Sequence, residues 1–282
     1  MPELPEVETV VAGLRERMAG REIVSVQLNR PDLRFPFPPL FEERLEGRRI
    51  TNVTRRAKYM LFHLDDGNAV LAHLGMSGTM RFELVDDYEA RKHDHVLWEL
   101  EGGEFFVFRD PRRFGSMLWV EQGEEASHPM LAHLGPEPLS DGFNPEYLAE
   151  QLSKRKSAVK VALMDQQLVV GVGNIYASEA LFRAKIHPAL PANNCAKYSK
   201  NIVKSIQGVL REAIASGGST LRDYVRSDGD LGYFQHHFAV YGREGEPCVR
   251  CQTPISRLVQ ANRASYACET CQPCKKRRKS AA

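Results

Sequence analysis

The sequence predicts an α+β protein of several domains: an N-terminal helix with an antiparallel β-sandwich, a helical domain, and a C-terminal four-cysteine zinc finger. Three observations predict it. Over residues 21–125 apolar residues recur in short runs between polar or glycine turns, the pattern of antiparallel strands. From Pro145 onward the apolar period lengthens to that of helices. Near the C-terminus two Cys-x-x-Cys pairs stand sixteen residues apart, a spacing that suits a tetrahedral metal site.

In chain order, a helix is expected from about Pro5 to Ala19, with proline in its first turn and Glu6 where the helix dipole favours an anion. Strand-like runs follow at Ile23–Leu28, Tyr59–Leu64, Ala69–Leu74, His95–Leu100, Phe105–Arg109 and Gly115–Val120. Pro31–Pro39 contains four prolines and reads as a loop. Helices are expected at Pro145–Leu152, Ala158–Asp165, Ile175–Lys185, Lys197–Ser216 and Ser219–Val225. Asn193-Asn194 marks a turn, and the Gly- and His-rich stretch from Ser227 to Gly245 reads as a mobile loop. The expected boundaries are 1–130 for the sandwich, 131–238 for the helical domain, 239–273 for the zinc finger and 274–282 for a basic tail.

Composition is that of a soluble globular protein, with 282 residues, 43% hydrophobic and 26% charged. The net charge of +2 does not by itself argue for a nucleic-acid partner. Its distribution says more. From Tyr241 onward nine Lys and Arg face three Asp and Glu, a net of +6 that leaves −4 on the remainder. Lys275–Lys279 places five cations in a row, a solvated tail with non-specific phosphate attraction as its functional alternative. No signal peptide or membrane span is read, so a reducing cytoplasmic compartment is expected.

The first residues, Met1-Pro2-Glu3-Leu4-Pro5-Glu6, carry chemistry. Removal of Met1 would leave Pro2 as a secondary amine. An α-amino group titrates near ~8 and a lysine near ~10.4, so such an amine is unprotonated at neutral pH roughly 100-fold more often. Attack on a sugar aldehyde carbon would give an iminium, an electron sink, with Glu3 in reach as acid or base. An ordinary helix start explains Pro5 and Glu6 but not Pro2-Glu3 ahead of it.

Cys248, Cys251, Cys268 and Cys271 are the expected ligands of one structural Zn2+. Two disulfides or a redox centre are the alternatives, disfavoured in a reducing compartment. Cys195 stands alone in a polar segment, and Cys274 follows the second pair by three residues. Leu168–Asn174 is a glycine-bearing apolar turn that would bring Asn174 to a helix N-terminus, where free N–H groups suit a phosphate; most such turns are only connectors.

Several blocks together resemble the bacterial formamidopyrimidine-DNA glycosylase family. They are MPELPEVET (Met1–Thr9), RRAKYM (Arg55–Met60), HLGMSG (His73–Gly78), KHDH (Lys92–His95), DPRRFG (Asp110–Gly115), LGPEPLS (Leu134–Ser140), LMDQQLVVGVGNIYASEALF (Leu163–Phe182) and the cysteine segment that opens at Tyr241. The resemblance runs to about Gln272. It implies a monomeric base-excision enzyme, a DNA glycosylase with abasic-site lyase activity acting on oxidised purines in damaged double-stranded DNA. Pro2 is then the nucleophile and Glu3 the principal acid/base, with Lys58 and Arg263 also at the reaction.

The same resemblance implies DNA contacts from His93, Arg112, Arg155 and Asn174, the last on a helix–two-turn–helix motif. Met76, Arg112 and Phe114 are implied as the wedge that fills the gap left by a flipped nucleotide. Read alone, Met76 and Phe114 could be sandwich core, and Lys58 a solvated edge residue. Their glycine- and proline-bearing surroundings favour exposed turns. The sister enzyme for oxidised pyrimidines is the alternative within the resemblance; Leu4 and the complete wedge set favour the purine enzyme. Where the family usually has Thr, this chain has Ser265, which keeps the hydroxyl.

Overall fold

The computed structural model describes residues 2–218 and 238–274. Met1, the expected helix at Ser219–Val225, the part of the expected Ser227–Gly245 loop up to residue 237 and the tail at Lys275–Lys279 lie outside the described residues. The chain clusters into two compact units. One runs from the N-terminus to His133 and takes in the chain just past Ala213; the other holds Leu134–Glu212 and the C-terminal segment.

The first unit opens with helix α1, Leu4–Met18. Its buried residues Val7, Val10, Val11, Leu14 and Met18 recur at helical spacing and form one apolar stripe. Glu3 and Glu6 close a capping box at its start. Eight strands follow: β1 Ile23–Leu28, β2 Ile50–Arg56, β3 Tyr59–Leu64, β4 Ala69–His73, β5 Thr79–Leu84, β6 Asp94–Leu100, β7 Glu104–Arg109 and β8 Ser116–Val120, with a short helix α2, Phe41–Leu45, after β1. They form two antiparallel four-stranded sheets in the orders β1-β6-β7-β5 and β2-β3-β4-β8. Side chains of both sheets and of α1 share one core, in which the Phe62 ring meets Trp98 edge-on at 5.2 Å and Phe106 at 5.7 Å. Strands β2 and β5 were not among the runs read from sequence. In β2 only Ile50 and Val53 are buried, so the apolar signal is thin.

The second unit is mainly helical: α3 Pro145–Ser153, α4 Val159–Leu163, α5 Asn174–Arg183, α6 Ala192–Cys195 and α7 Ser199–Ala215. Asn144 caps α3, its side chain accepting from Tyr147 N–H at 2.9 Å. The expected turn at Asn193-Asn194 is instead the one-turn helix α6, because buried Ala192 and Cys195 anchor both its ends. Burial pushes the Cys195 thiol up to about 11, which keeps it a small apolar side chain. The C-terminal segment adds the hairpin β9 Ser256–Gln260 and β10 Arg263–Ala267. Buried Glu179 of α5 fastens that segment by accepting the backbone N–H groups of Ala239, Val240 and Tyr241 at 2.8–3.0 Å. Among the described residues no helix is long and apolar enough to cross a membrane.

Candidate catalytic terminus and nucleic-acid interface

Pro2, Glu3 and Glu6 are buried at the start of α1. The Glu6 carboxylate accepts the Glu3 N–H at 2.8 Å and so fixes the backbone directly after Pro2. Helix α1 lies along β2: Arg15 donates to the Val53 carbonyl at 2.7 Å, and Arg55 pairs with Glu8 at 2.6 Å. That register aims the first turn of α1 toward the tight turn between β2 and β3, where Ala57 is left-handed and Lys58 follows. Lys58 is only 8% exposed and not the solvated edge residue that sequence alone suggests. The chain returns to this place after α7. A Cβ on Gly218, whose φ is +78°, would lie 3.3 Å from the Glu6 backbone and from its carboxylate.

Strand pairing decides which loops share the rim with Lys58. Tyr59 pairs with His73, His73 with Ser116, and Thr79 and Asp94 both with Arg109. The crossovers 74–78 and 110–115 therefore run side by side, with the Lys58 turn and the His93 loop beside them. Met76 is 37% exposed, Phe114 45%, and Arg112 is exposed, its guanidinium carbon 5.0 Å from the Phe114 ring centre. His93 is half-buried with φ +77°, whereas His95 turns inward and donates to the Asp110 carbonyl at 2.9 Å. At the start of the Met76 loop, the His73 ring packs tilted against Tyr59, 4.9 Å between centres, and accepts the Gly75 N–H on Nδ1 at 2.9 Å. Burial first, and the nearby Lys58 charge second, push His73 down to about 4, so it is neutral at pH 7.

In the second unit the glycine turn leads into α5, with Gly173 as its cap and Asn174 as its first residue. Gln166 staples the turn, accepting the Gly171 N–H at 2.8 Å and donating to the Val172 carbonyl at 3.1 Å. Lys160 of α4 is 1% exposed. Its ammonium donates to Asn174 Oδ1, to the Ala264 carbonyl at 3.0 Å and to Ser265 Oγ at 2.7 Å. Asn174 Nδ2 also donates to the Ala264 carbonyl at 3.0 Å. The hairpin turn Ala261-Asn262 has both residues left-handed, as a two-residue turn of this twist requires, and Arg263 stands directly after it, exposed. Arg155 is held by Gln151 at 2.9 Å and by Asp165 at 3.5 Å.

The four cysteines read as ligands converge. The sulfurs of Cys248, Cys251, Cys268 and Cys271 all lie within 4.8 Å of one another, with Cys251–Cys268 at 3.4 Å, Cys251–Cys271 at 3.5 Å and Cys248–Cys271 at 3.9 Å. Four thiolates at about 2.3 Å from a tetrahedral zinc stand about 3.8 Å apart, so the set fits one structural Zn2+. Backbone N–H groups of Arg250 and Cys271 point at Cys248 and Cys268 Sγ at 3.4 Å each, as bonds that stabilise thiolates do. Cys274 is outside the cluster.

Comparison with known proteins agrees with this architecture. Family models described as the formamidopyrimidine-DNA glycosylase N-terminal domain, its H2TH domain, and a zinc finger found in FPG and IleRS match residues 1–117, 134–225 and 245–273. A formamidopyrimidine-DNA glycosylase of Cereibacter sphaeroides is 50% identical across 96% of this chain and 100% of its own. The chain belongs to the formamidopyrimidine-DNA glycosylase family. A family member from Bartonella henselae is 47% identical over the same shares of the two chains. The crystal structure of MutM (FPG) protein from Thermus thermophilus superposes with a TM-score of 0.85 at 42% identity, covering 96% of this chain and 98% of that one. The Lactococcus lactis Fpg in complex with DNA containing an abasic site gives 0.88 at 33% identity over 96% and 99%.

Sequence reasoning missed four residues that hold these sites together: Lys160, Asp110, Ser77 and Gly218. Only the last two carried a signal, as polar or glycine residues in turn-like segments. Lys160 and Asp110 look solvent-facing by type, yet each is buried with several partners.

Proposed function

We propose that the chain, with Met1 removed, excises oxidised purines such as 8-oxoguanine and formamidopyrimidines from damaged double-stranded DNA, using the Pro2 amine as nucleophile. As a member of its family it is a DNA-repair glycosylase with abasic-site lyase activity. The observation that supports the finer reading is the sandwich rim. It carries a buried Pro2-Glu3 start, a buried Lys58, and the exposed Met76, Arg112 and Phe114 on adjacent loops.

Pro2 nitrogen attacks C1′ as the bond from C1′ to the base breaks, and the base leaves with a proton. The sugar opens to an iminium, which withdraws electrons and makes the C2′ hydrogen acidic. Glu3 takes that proton, and the bond from C3′ to its oxygen breaks, cutting the strand 3′ to the site. A second elimination at C5′ leaves a one-nucleotide gap with phosphate ends. Glu6 holds the Glu3 backbone through the capping box. Lys58 contributes a cation at the sugar and its phosphates. Met76 and Phe114 fill the gap in the stack, and Arg112 faces the orphaned base. His93, Arg155, Asn174 and Arg263 hold phosphates. Four thiolates leave zinc no open position for water, so its contribution is to stiffen the hairpin that presents Arg263.

Borohydride trapping on an 8-oxoguanine duplex tests this reading. Processed protein is expected to be linked to DNA through Pro2, and Pro2→Gly to lose most activity while folding normally. Trapping at Lys58, with Pro2→Gly fully active, would sink the assignment.

A further inference from the structure

Two crossover loops carry the proposed wedge, and one buried carboxylate joins them. Asp110 is fully buried. Its Oδ1 accepts the Ser77 hydroxyl at 2.7 Å, which belongs to the Met76 loop. The same oxygen accepts the Arg112 N–H at 3.3 Å, and Oδ2 accepts the Gly115 N–H at 2.8 Å, both in the Phe114 loop. Ser77 Oγ also receives the Arg112 N–H at 3.2 Å. Further along, Gly75 lets the two backbones touch. With φ +63°, a Cβ there would stand 2.5 Å from Gly115 N and 2.7 Å from the Phe114 carbonyl oxygen. The loops thus form one hydrogen-bonded body beneath three exposed side chains.

We propose that Asp110 is a positioning residue for opening the DNA stack: its carboxylate, through Ser77 and the Arg112 and Gly115 amides, presents Met76 and Phe114 as a single preformed wedge. This rests on the wedge reading above. The physical gain is entropic. A wedge whose backbone had to order on insertion would pay that cost while the stack is open, when the enzyme must hold an unpaired base as well. Preformed loops have met it in folding.

The test is a double-mutant cycle of Asp110→Asn and Phe114→Ala. It is read by single-turnover excision of 8-oxoguanine opposite cytosine and by fluorescence of a 2-aminopurine beside the lesion. Asn keeps the volume of Asp but replaces one acceptor oxygen with a donor, so the Arg112 and Gly115 N–H groups, which use different oxygens, cannot both keep their acceptor. Asp110→Asn is expected to slow excision and stack opening by about 10- to 100-fold. In the Phe114→Ala background the same change is expected to cost under about threefold, since its target is already gone. Full additivity, with Phe114→Ala itself slow, would overturn the positioning role alone. Wild-type rates in Phe114→Ala would remove the wedge reading and this proposal with it. Should Asp110→Asn fail to fold, Ser77→Ala, which deletes only the bridge to the Met76 loop, is read in the same cycle with the same outcomes.

Discussion

Lys160 of α4 donates a hydrogen bond to Ser265 of β10 across 2.7 Å, and 105 residues of sequence separate the two. The bond ties the helical segment to the hairpin that bears Arg263. It also explains how this chain uses the hydroxyl at position 265: the side chain is fully buried and accepts from a buried ammonium. Asn174 is drawn into the same cluster. Two side chains proposed to hold phosphate are thus registered by a residue that need not touch DNA.

Replacing Lys160 with Met would keep the volume and remove the donor. The Ser265 hydroxyl and the Ala264 carbonyl would lose a charged partner inside the protein. A loss of about 2–3 kcal/mol in stability is expected, read by urea unfolding. DNA affinity should fall about tenfold or more, because Arg263 and Asn174 lose their common anchor. Unchanged affinity in a destabilised variant would limit Lys160 to the fold.

Zinc removal should act on the hairpin and not on the sandwich. Such a small module has little apolar core without its metal. Metal analysis should find one zinc per chain, and Cys248→Ser or Cys268→Ser should abolish DNA binding while the sandwich still unfolds cooperatively. Full binding after stoichiometric zinc removal would contradict this.

The two exposed arginines should fail differently. Arg263→Ala is expected to weaken damaged and undamaged duplex alike and to lower the salt slope by about one. Arg112→Ala should blunt the preference for cytosine over adenine opposite the lesion, by on the order of 1–3 kcal/mol. Excision opposite each base at two salt concentrations separates them. An altered base preference in Arg263→Ala, with none in Arg112→Ala, would reverse the assignment.

Acid should loosen the rim through His73. Its proton binds near 6.5 in the unfolded chain and about 4 in the folded one, so the unfolded state holds more protons between those values. The stability contributed by neutral His73 is complete above pH 6.5 and is lost as pH falls toward 4. In that window the slope is at most about 1.4 kcal/mol per pH unit. His73→Gln should show a shallower decline between pH 6.5 and 4.5 in denaturant titrations. A variant curve parallel to the wild type would mean that other groups govern acid lability.

Much of this protein is written locally. The run Ile23–Leu28 is β1 and Tyr59–Leu64 is β3, because short runs rich in β-branched and other apolar residues between turn signals suit a strand with buried side chains. The cysteine spacing brings four sulfurs together for a similar reason, since two short knuckles have few ways to close. The thin pattern of β2 needed neighbours to become a strand, whereas β5 alternates Met80, Phe82 and Leu84 with polar residues and was legible though not read, and Asn193-Asn194 formed a helical turn once its flanks were buried.

Motif residues such as Pro2, Glu3, Met76 and Phe114 could be named from sequence, but only strand register puts the loops 74–78 and 110–115 side by side. Likewise, nothing in residue type distinguishes Asp110 or Lys160 from a surface charge. Their roles come from partners 33 and 105 positions away, brought within hydrogen-bonding distance by packing. Sequence by itself determined which chemical groups the chain carries and the local elements that hold them. Tertiary structure decided which groups meet, because a hydrogen bond between distant segments exists only after the sheets and helices have set the register.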